Sequence, residues 1–219
     1  LARLDDDEAT PRYPPFARGL PGTSVSRVLK TQEELVRDLR HSVGLAPESF
    51  DQLIWPVVER LAGWVHLLPA SEAHHHRMTG GLLRHSLEVG LYSARMAEGT
   101  VFVPMGTPVE RRAQEPRWHA AVAIAGLLHD IGKPVSDVTL ADDNGDTWNP
   151  YTHSLHEWIV ERDVERYFLR WRANRGRRHE QFAALVAERL MPSATASWLG
   201  EGGPELLEHV LSTITGSIT

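Results

Sequence analysis

From Ala120 to Leu128 every residue is apolar or glycine, and the run stops at His129-Asp130, followed by Gly132-Lys133-Pro134. A helix that is hydrophobic all round has no face to turn to water, so it must sit inside a shell of other elements. The Gly and Pro just beyond it are stop signals. The sequence therefore places a His-Asp pair at the end of a buried helix, where a carboxylate is costly unless it is paired or holds a cation. The 219 residues of the chain are enough for one sizeable domain to enclose such a segment.

The surrounding sequence supplies the shell. Thr31-x-x-Glu34 has the form of a capping box and predicts a helix to about Val43. Pro47-Glu48 precedes Phe50, Leu53, Ile54, Val57, Val58, Leu61, Trp64 and Val65, whose spacing follows the 3.6 period. Leu83, Leu87, Leu91 and Ala94 form the stripe of a helix from about Gly81 to Glu98, with His85 directed into packed surroundings. Asp143-Asn144-Gly145 is a turn signal and predicts a small β-hairpin between Val135 and Tyr151. Further helices are predicted at about Ser154–Leu169, His179–Leu190 and Pro204–Thr215. The expected fold is all-α, a helical bundle with a β-hairpin insertion over 31–219, preceded by an extended Pro- and Arg-rich arm over 1–30.

Composition narrows the chemistry. There is no cysteine, so disulfides, thiolate catalysis and sulfur-ligated zinc are excluded and any metal rests on His, Asp or Glu. The net charge of −6 argues against coating nucleic acid by bulk charge but permits a local basic patch. No stretch approaches the roughly 18 apolar residues of a membrane span, and the acidic N-terminus is unlike a secretory signal, so a cytoplasmic location is expected. The chain has no initiator Met and stops just past an amphipathic segment, which predicts that it is part of a longer protein.

The candidate chemistry gathers on His85, His129, Asp130, His156 and His179, a set of imidazoles and one carboxylate suited to one or two divalent transition ions. Mn or Fe is preferred for such a sulfur-free set, while Zn or Ni also fit. Lys133, three residues past Asp130, is placed to meet a phosphate or, alternatively, to favour the helix C-terminus. Arg166 to Arg178 holds six arginines interleaved with Tyr167, Phe168 and Trp171, a pattern that suits a nucleic-acid strand or a solvated helix face. Within it Arg175, Arg177 and Arg178 are the stronger phosphate candidates. Three adjacent histidines, His74, His75 and His76, cannot all face one ion.

Two segments, Gly80-Gly81-Leu82-Leu83-Arg84-His85-Ser86-Leu87-Glu88-Val89 and Gly126-Leu127-Leu128-His129-Asp130-Ile131-Gly132-Lys133, resemble the signature of the HD superfamily of metal-dependent phosphohydrolases. The resemblance implies a metal held by His85, His129 and Asp130 within a helical bundle. The run His75 to Gly81 is similar to an HD branch that includes certain exoribonucleases, which makes His75 the expected further ligand and His76 a phosphate contact. HD proteins usually add a second Asp from a late helix, yet no Asp follows Asp163. His156 and His179 are the expected replacements, with Asp137 a weaker one.

Arg12-Tyr13-Pro14-Pro15-Phe16, Trp64 to Glu72, Glu115-Pro116-Arg117-Trp118, Trp148-Asn149-Pro150-Tyr151 and Arg177-Arg178-His179-Glu180 extend the likeness over nearly the whole chain. They are similar to MobH or TraI-like relaxases of integrating conjugative elements. That resemblance implies a nuclease-type domain that processes the transfer origin of a mobile element, with DNA and other conjugation proteins as partners. Relaxases of this family are sometimes labelled helicases, but the sequence has no Gly-x-x-x-x-Gly-Lys-Ser/Thr loop. The implied reaction is metal-dependent phosphodiester cleavage or transfer, with Asp130 and Lys133 at the reacting centre and Tyr151 as the candidate nucleophile. An HD phosphohydrolase acting on nucleotides or RNA, and a DNA-binding or assembly module with an incomplete metal site, stand as alternatives.

Overall fold

The two longest helices among the described residues, α5 (Gly81–Glu98) and α6 (Pro108–Leu128), pack against each other. The structure is a computed structural model that describes residues 18–173 and 178–217. Helix α6 opens with a full capping box, in which the Thr107 hydroxyl accepts from Glu110 N and the Glu110 carboxylate accepts from Thr107 N. Its last turns, Ala120 to Leu128, are buried apart from the half-buried Val122, as the apolar run requires. Close approach to α5 rests on glycine: a Cβ on Gly126 would meet Gly90 Cα at 3.0 Å and Ser93 Oγ at 2.8 Å. α2 (Glu33–Ser42) flanks α5, and α11 (Pro204–Ile214) flanks α6, completing the shell on those sides.

Several elements differ from expectation. Thr31 is the C-cap of a short helix α1 (Val25–Lys30) rather than the N-cap of α2, so this part of the expected arm is helical. The helix expected over 47–65 divides at Ile54 into α3 (Pro47–Leu53) and α4 (Trp55–Val65). Pro56 explains the break, because it lacks an N–H and its ring clashes with the preceding turn. α7 (Lys133–Ser136) and α10 (Ser193–Gly200) are additional, and α9 (His179–Leu190) matches its expected span.

The fold is mostly helical, with more β structure than the expected hairpin. The turn at Asp143-Asn144-Gly145 exists, and beyond it Ala141 bridges Thr147 while Asp142 N donates to Asp146 O and Trp148 N to Leu140 O, so the hairpin is reduced to this short pairing. The longer ladder of β2 (Val138–Asp142) is with β3 (Arg166–Trp171), which also pairs with β1 (Leu20–Pro21) in an antiparallel sheet of order β1-β3-β2. β3 was expected to continue the helix begun at Ser154. That helix, α8 (Leu155–Glu161), has its capping box at Ser154 and Glu157 but ends at Arg162, and Asp163 turns the chain with φ 51°. The six residues that follow alternate: Tyr167, Leu169 and Trp171 face the core while Phe168 and Arg170 face out.

A buried polar chain locks this sheet to the helices. His66 Nε2 donates to Thr23 O at 3.0 Å, so Nδ1 accepts from the Tyr167 hydroxyl at 2.8 Å, and that hydroxyl accepts from Leu67 N at 3.3 Å. These bonds hold His66 in a left-handed conformation, φ 45°, that non-glycine residues rarely adopt. Burial pushes the His66 imidazole down to about 4, and burial likewise raises the Tyr167 phenol. The folded pKa of His66 lies below its unfolded value, so the neutral form's stabilisation is complete above pH ~6.5 and is lost as the pH falls toward ~4, by about 3 kcal/mol in all. Urea unfolding at pH 7.5, 6 and 5 checks this. Wild-type stability is expected to fall over that range more steeply than that of His66→Asn, and parallel pH profiles for the two proteins would refute the assignment.

Candidate metal centre

Helix α5 carries His85 and the end of α6 carries His129 and Asp130, and the Gly90–Gly126 contact sets how closely these side chains meet. His129 Nε2 lies 3.0 Å from His85 Nε2 and 3.2 Å from Asp130 Oδ2, and His85 Nε2 lies 3.3 Å from the same oxygen. His129 Nδ1 donates to Gly126 O at 2.7 Å, which leaves Nε2 of the neutral ring as a lone-pair donor. Two imidazole nitrogens and a carboxylate oxygen thus converge on one point, an arrangement that calls for a proton or a cation. Donors about 2.1 Å from one ion stand about 3.0 Å apart at right angles and about 3.4 Å apart in a tetrahedron. The observed edges fall in that interval, so these three residues can hold a metal ion.

Asp130 is buried and has further neighbours on both oxygens. Lys133 Nζ lies 2.7 Å from Oδ2, and His179 Nε2 lies 3.5 Å from Oδ1. Burial by itself would raise the Asp130 pKa, but contacts with His129 and His85 and the charge of Lys133 outweigh it and hold the carboxyl well below the usual range. His179 reaches the site because α9 starts directly against Gly132: a Cβ there would stand 1.9 Å from His179 O. Gly132→Ala is therefore expected to push the start of α9 away and to cost about 1–3 kcal/mol in urea unfolding. Unchanged stability would show that this contact is not a constraint.

Of the three adjacent histidines, it is His76 that lies beside the cluster, with its ring centroid 5.0 Å from that of His85 and Nε2 3.3 Å from Glu88 Oε2. His75, the expected ligand, is exposed with His74, because the loop turns at His76 (φ 58°). Burial lowers the His76 pKa, partly opposed by Glu88. A Cβ on Gly81 would meet His76 O at 1.9 Å, so a glycine is needed where α5 begins against this loop.

His156 is not brought to the cluster. It stacks on His66 at 6.4 Å, and its Nε2 is buried without a hydrogen-bond partner among the described residues, beside a groove of about 720 Å³ that Arg60 and Arg189 also line. Tyr151 is 51% exposed on the loop whose carbonyl Arg189 holds, and among the described residues no contact joins it to Asp130. Asp137 accepts from Ser136 Oγ at 2.6 Å, and it is not grouped with the three donors. Arg178 is exposed at the N-cap of α9, while Arg175 and Arg177 lie outside the described residues, as does Tyr13.

Two partners were not anticipated. Glu88, one turn beyond Arg84, pairs with both Arg84 and His76, and the i,i+4 spacing was its sequence signal. His209, on α11, lines a mainly apolar cavity of about 290 Å³ together with Val89, Trp118, Val122, Val210 and His129. No local pattern pointed to it, since the cavity forms only where α5, α6 and α11 meet.

No helix among the described residues is long and apolar enough to cross a membrane. A family model described as "Putative helicase" matches residues 19–219. No curated protein matches the chain.

Proposed function

Because the chain belongs to the TraI_2 family, a conjugative relaxase-type family, we propose that it is the metal-dependent phosphodiesterase domain of a conjugation protein, cleaving DNA strands at the transfer origin of a mobile element. The observation that carries this reading is the convergence of His85, His129 and Asp130 on one point. In this reading the domain has the helical-bundle chemistry of HD phosphohydrolases. The absence of a Gly-x-x-x-x-Gly-Lys-Ser/Thr loop in the sequence weighs for cleavage over an ATP-driven motor.

The roles follow from position. His85 and His129 supply neutral nitrogens and Asp130 Oδ2 the negative charge for a divalent ion, with Mn or Fe preferred. Such an ion supplies Lewis acidity toward a phosphate oxygen and a water made nucleophilic near neutral pH. Asp130 Oδ1 and His179 lie together, ready to orient a proton or a second ion. Lys133 and His76 flank the cluster, where each can meet a phosphate oxygen as charge develops on it. Arg178, at the start of α9, is placed for a neighbouring phosphate. Water serves as the nucleophile in this scheme, since Tyr151 is held elsewhere.

Metal analysis of protein expressed without a His tag, combined with nicking of supercoiled DNA bearing the transfer origin, tests the proposal. About one or two bound Mn or Fe per chain and metal-dependent nicking are expected. A chain that takes up none of Mn, Fe, Zn or Ni in stoichiometric amount would overturn it and favour an assembly module.

A second reading, hydrolysis of free nucleotides, is favoured by the apolar cavity beside His129, which has room for a base. Turnover of nucleoside phosphates with no action on DNA would select it.

A further inference from the structure

In a chain of net charge −6, the outward face of the central strand is basic. Arg166, Phe168 and Arg170 alternate with the buried Tyr167 and with Leu169 and Trp171 along β3, and Arg172 continues the series. Side chains on one face of a strand recur at about 6.8 Å, so these four form a straight row. The neighbours beside the row are small: Thr139 pairs with Arg170, Ala141 with Phe168 and Pro21 with Arg166. A Cβ on Gly19 would stand only 3.1 Å from the Phe168 ring, so that glycine lets the ring lie on the backbone with its other side toward solvent.

The row also has a direction. At the Arg166 end Asp142, Asp143, Asp163 and Glu165 outnumber Arg162 and Arg166, which leaves that end acidic on balance. At the other end Arg172 donates to Val135 O and to Thr139 Oγ1, tying the strand to α7, the helix that begins with Lys133 beside Asp130. The basic end of the sheet is therefore the end that joins the metal centre.

We infer that the outward face of the sheet is a platform for single-stranded nucleic acid, with a base stacked on Phe168 and phosphates against Arg170 and Arg172, leading the strand toward the His85–His129–Asp130 cluster. A flat aromatic and regularly spaced guanidinium groups recognise a base face and a backbone without reading sequence. A duplex keeps its bases stacked internally and offers none to Phe168. The inference rests on the nucleic-acid reading of the metal centre, but its surface is separate from the metal donors.

Fluorescence anisotropy with labelled dT and rU oligomers of about 15 nucleotides, across a salt series and with chelator present, tests it. Phe168→Ala is expected to weaken binding about tenfold at every salt concentration. Arg170→Ala is expected to reduce the slope of log affinity against log salt by about 0.7. Ala141→Arg adds a cation opposite Phe168 and is expected to tighten binding and steepen the slope, an effect that misfolding cannot imitate. Unchanged affinity and slope in all three variants would overturn the platform, as would a duplex that binds as tightly as dT and with the same dependence on Phe168. If dT and rU bind alike, backbone and base face suffice, as inferred; a need for one sugar would overturn sequence- and sugar-independent recognition. Chelator removes the metal from the measurement, so weaker dT binding by Phe168→Ala together with tighter binding by Ala141→Arg upholds the platform even if the metal analysis fails.

Discussion

Asp130→Asn is expected to abolish metal binding and to lower phosphodiester turnover by at least about 10³-fold, the effect of losing several kcal/mol of charge stabilisation. The substitution keeps the shape of the side chain. What changes is the oxygen that stands 3.2 and 3.3 Å from the two imidazole nitrogens, which loses its charge or becomes an NH₂ that repels a cation. His85 and His129 alone offer two neutral donors, too few to hold a hard divalent ion. Metal content after dialysis and turnover of a simple phosphodiester check the prediction, with circular dichroism to show that the helices remain. An Asn variant that keeps its metal and its rate would remove Asp130 from the site.

The second large effect concerns Lys133, whose ammonium lies 2.7 Å from the same carboxylate oxygen and 3.4 Å from Ala70 O. An arriving cation must displace or repel it. Lys133→Met is thus expected to bind metal about tenfold more tightly while turnover falls about 10²- to 10³-fold, because the positive charge near the developing phosphate charge is gone. The two effects have opposite signs, which separates this role from a structural one. If Lys133 only supported the helix end, affinity and rate would fall together. Calorimetric metal titration and turnover on the same preparations decide between these outcomes.

Much of the cluster was legible because its determinants are local. The apolar run that ends at His129-Asp130 and the stripe that fixes the orientation of His85 are properties of single helices, and the contact between them follows from two glycines on facing surfaces. His179 was legible for a similar reason, at the start of a clearly bounded helix. His156 was not. It lies on an equally clear helix, but the packing of α8 on α4 turns it toward His66. His75 and His76 are adjacent in sequence, and only the positive φ at His76 decides which one turns inward. β3 was misread because the segment after Ser154 begins as a true helix and the aromatic residues beyond it fit either period. The two-residue alternation from Arg166 was present, but the break at Asp163 that makes it decisive is a backbone feature without Gly or Pro to announce it.

The pairing of Leu20 with Tyr167 sets an order of events during synthesis. β1 leaves the ribosome before α1 to α8, yet among the described residues its ladder partner β3 is made only after all of them have emerged. A contact of such long sequence separation is slow to close. Until it does, Thr23 and His66 wait without the Tyr167 hydroxyl that completes their chain of bonds. The helices that carry His85, His129 and Asp130 can thus assemble while the nascent sheet is still unmade, and nascent chains halted before β3 would carry the metal donors without the basic strand.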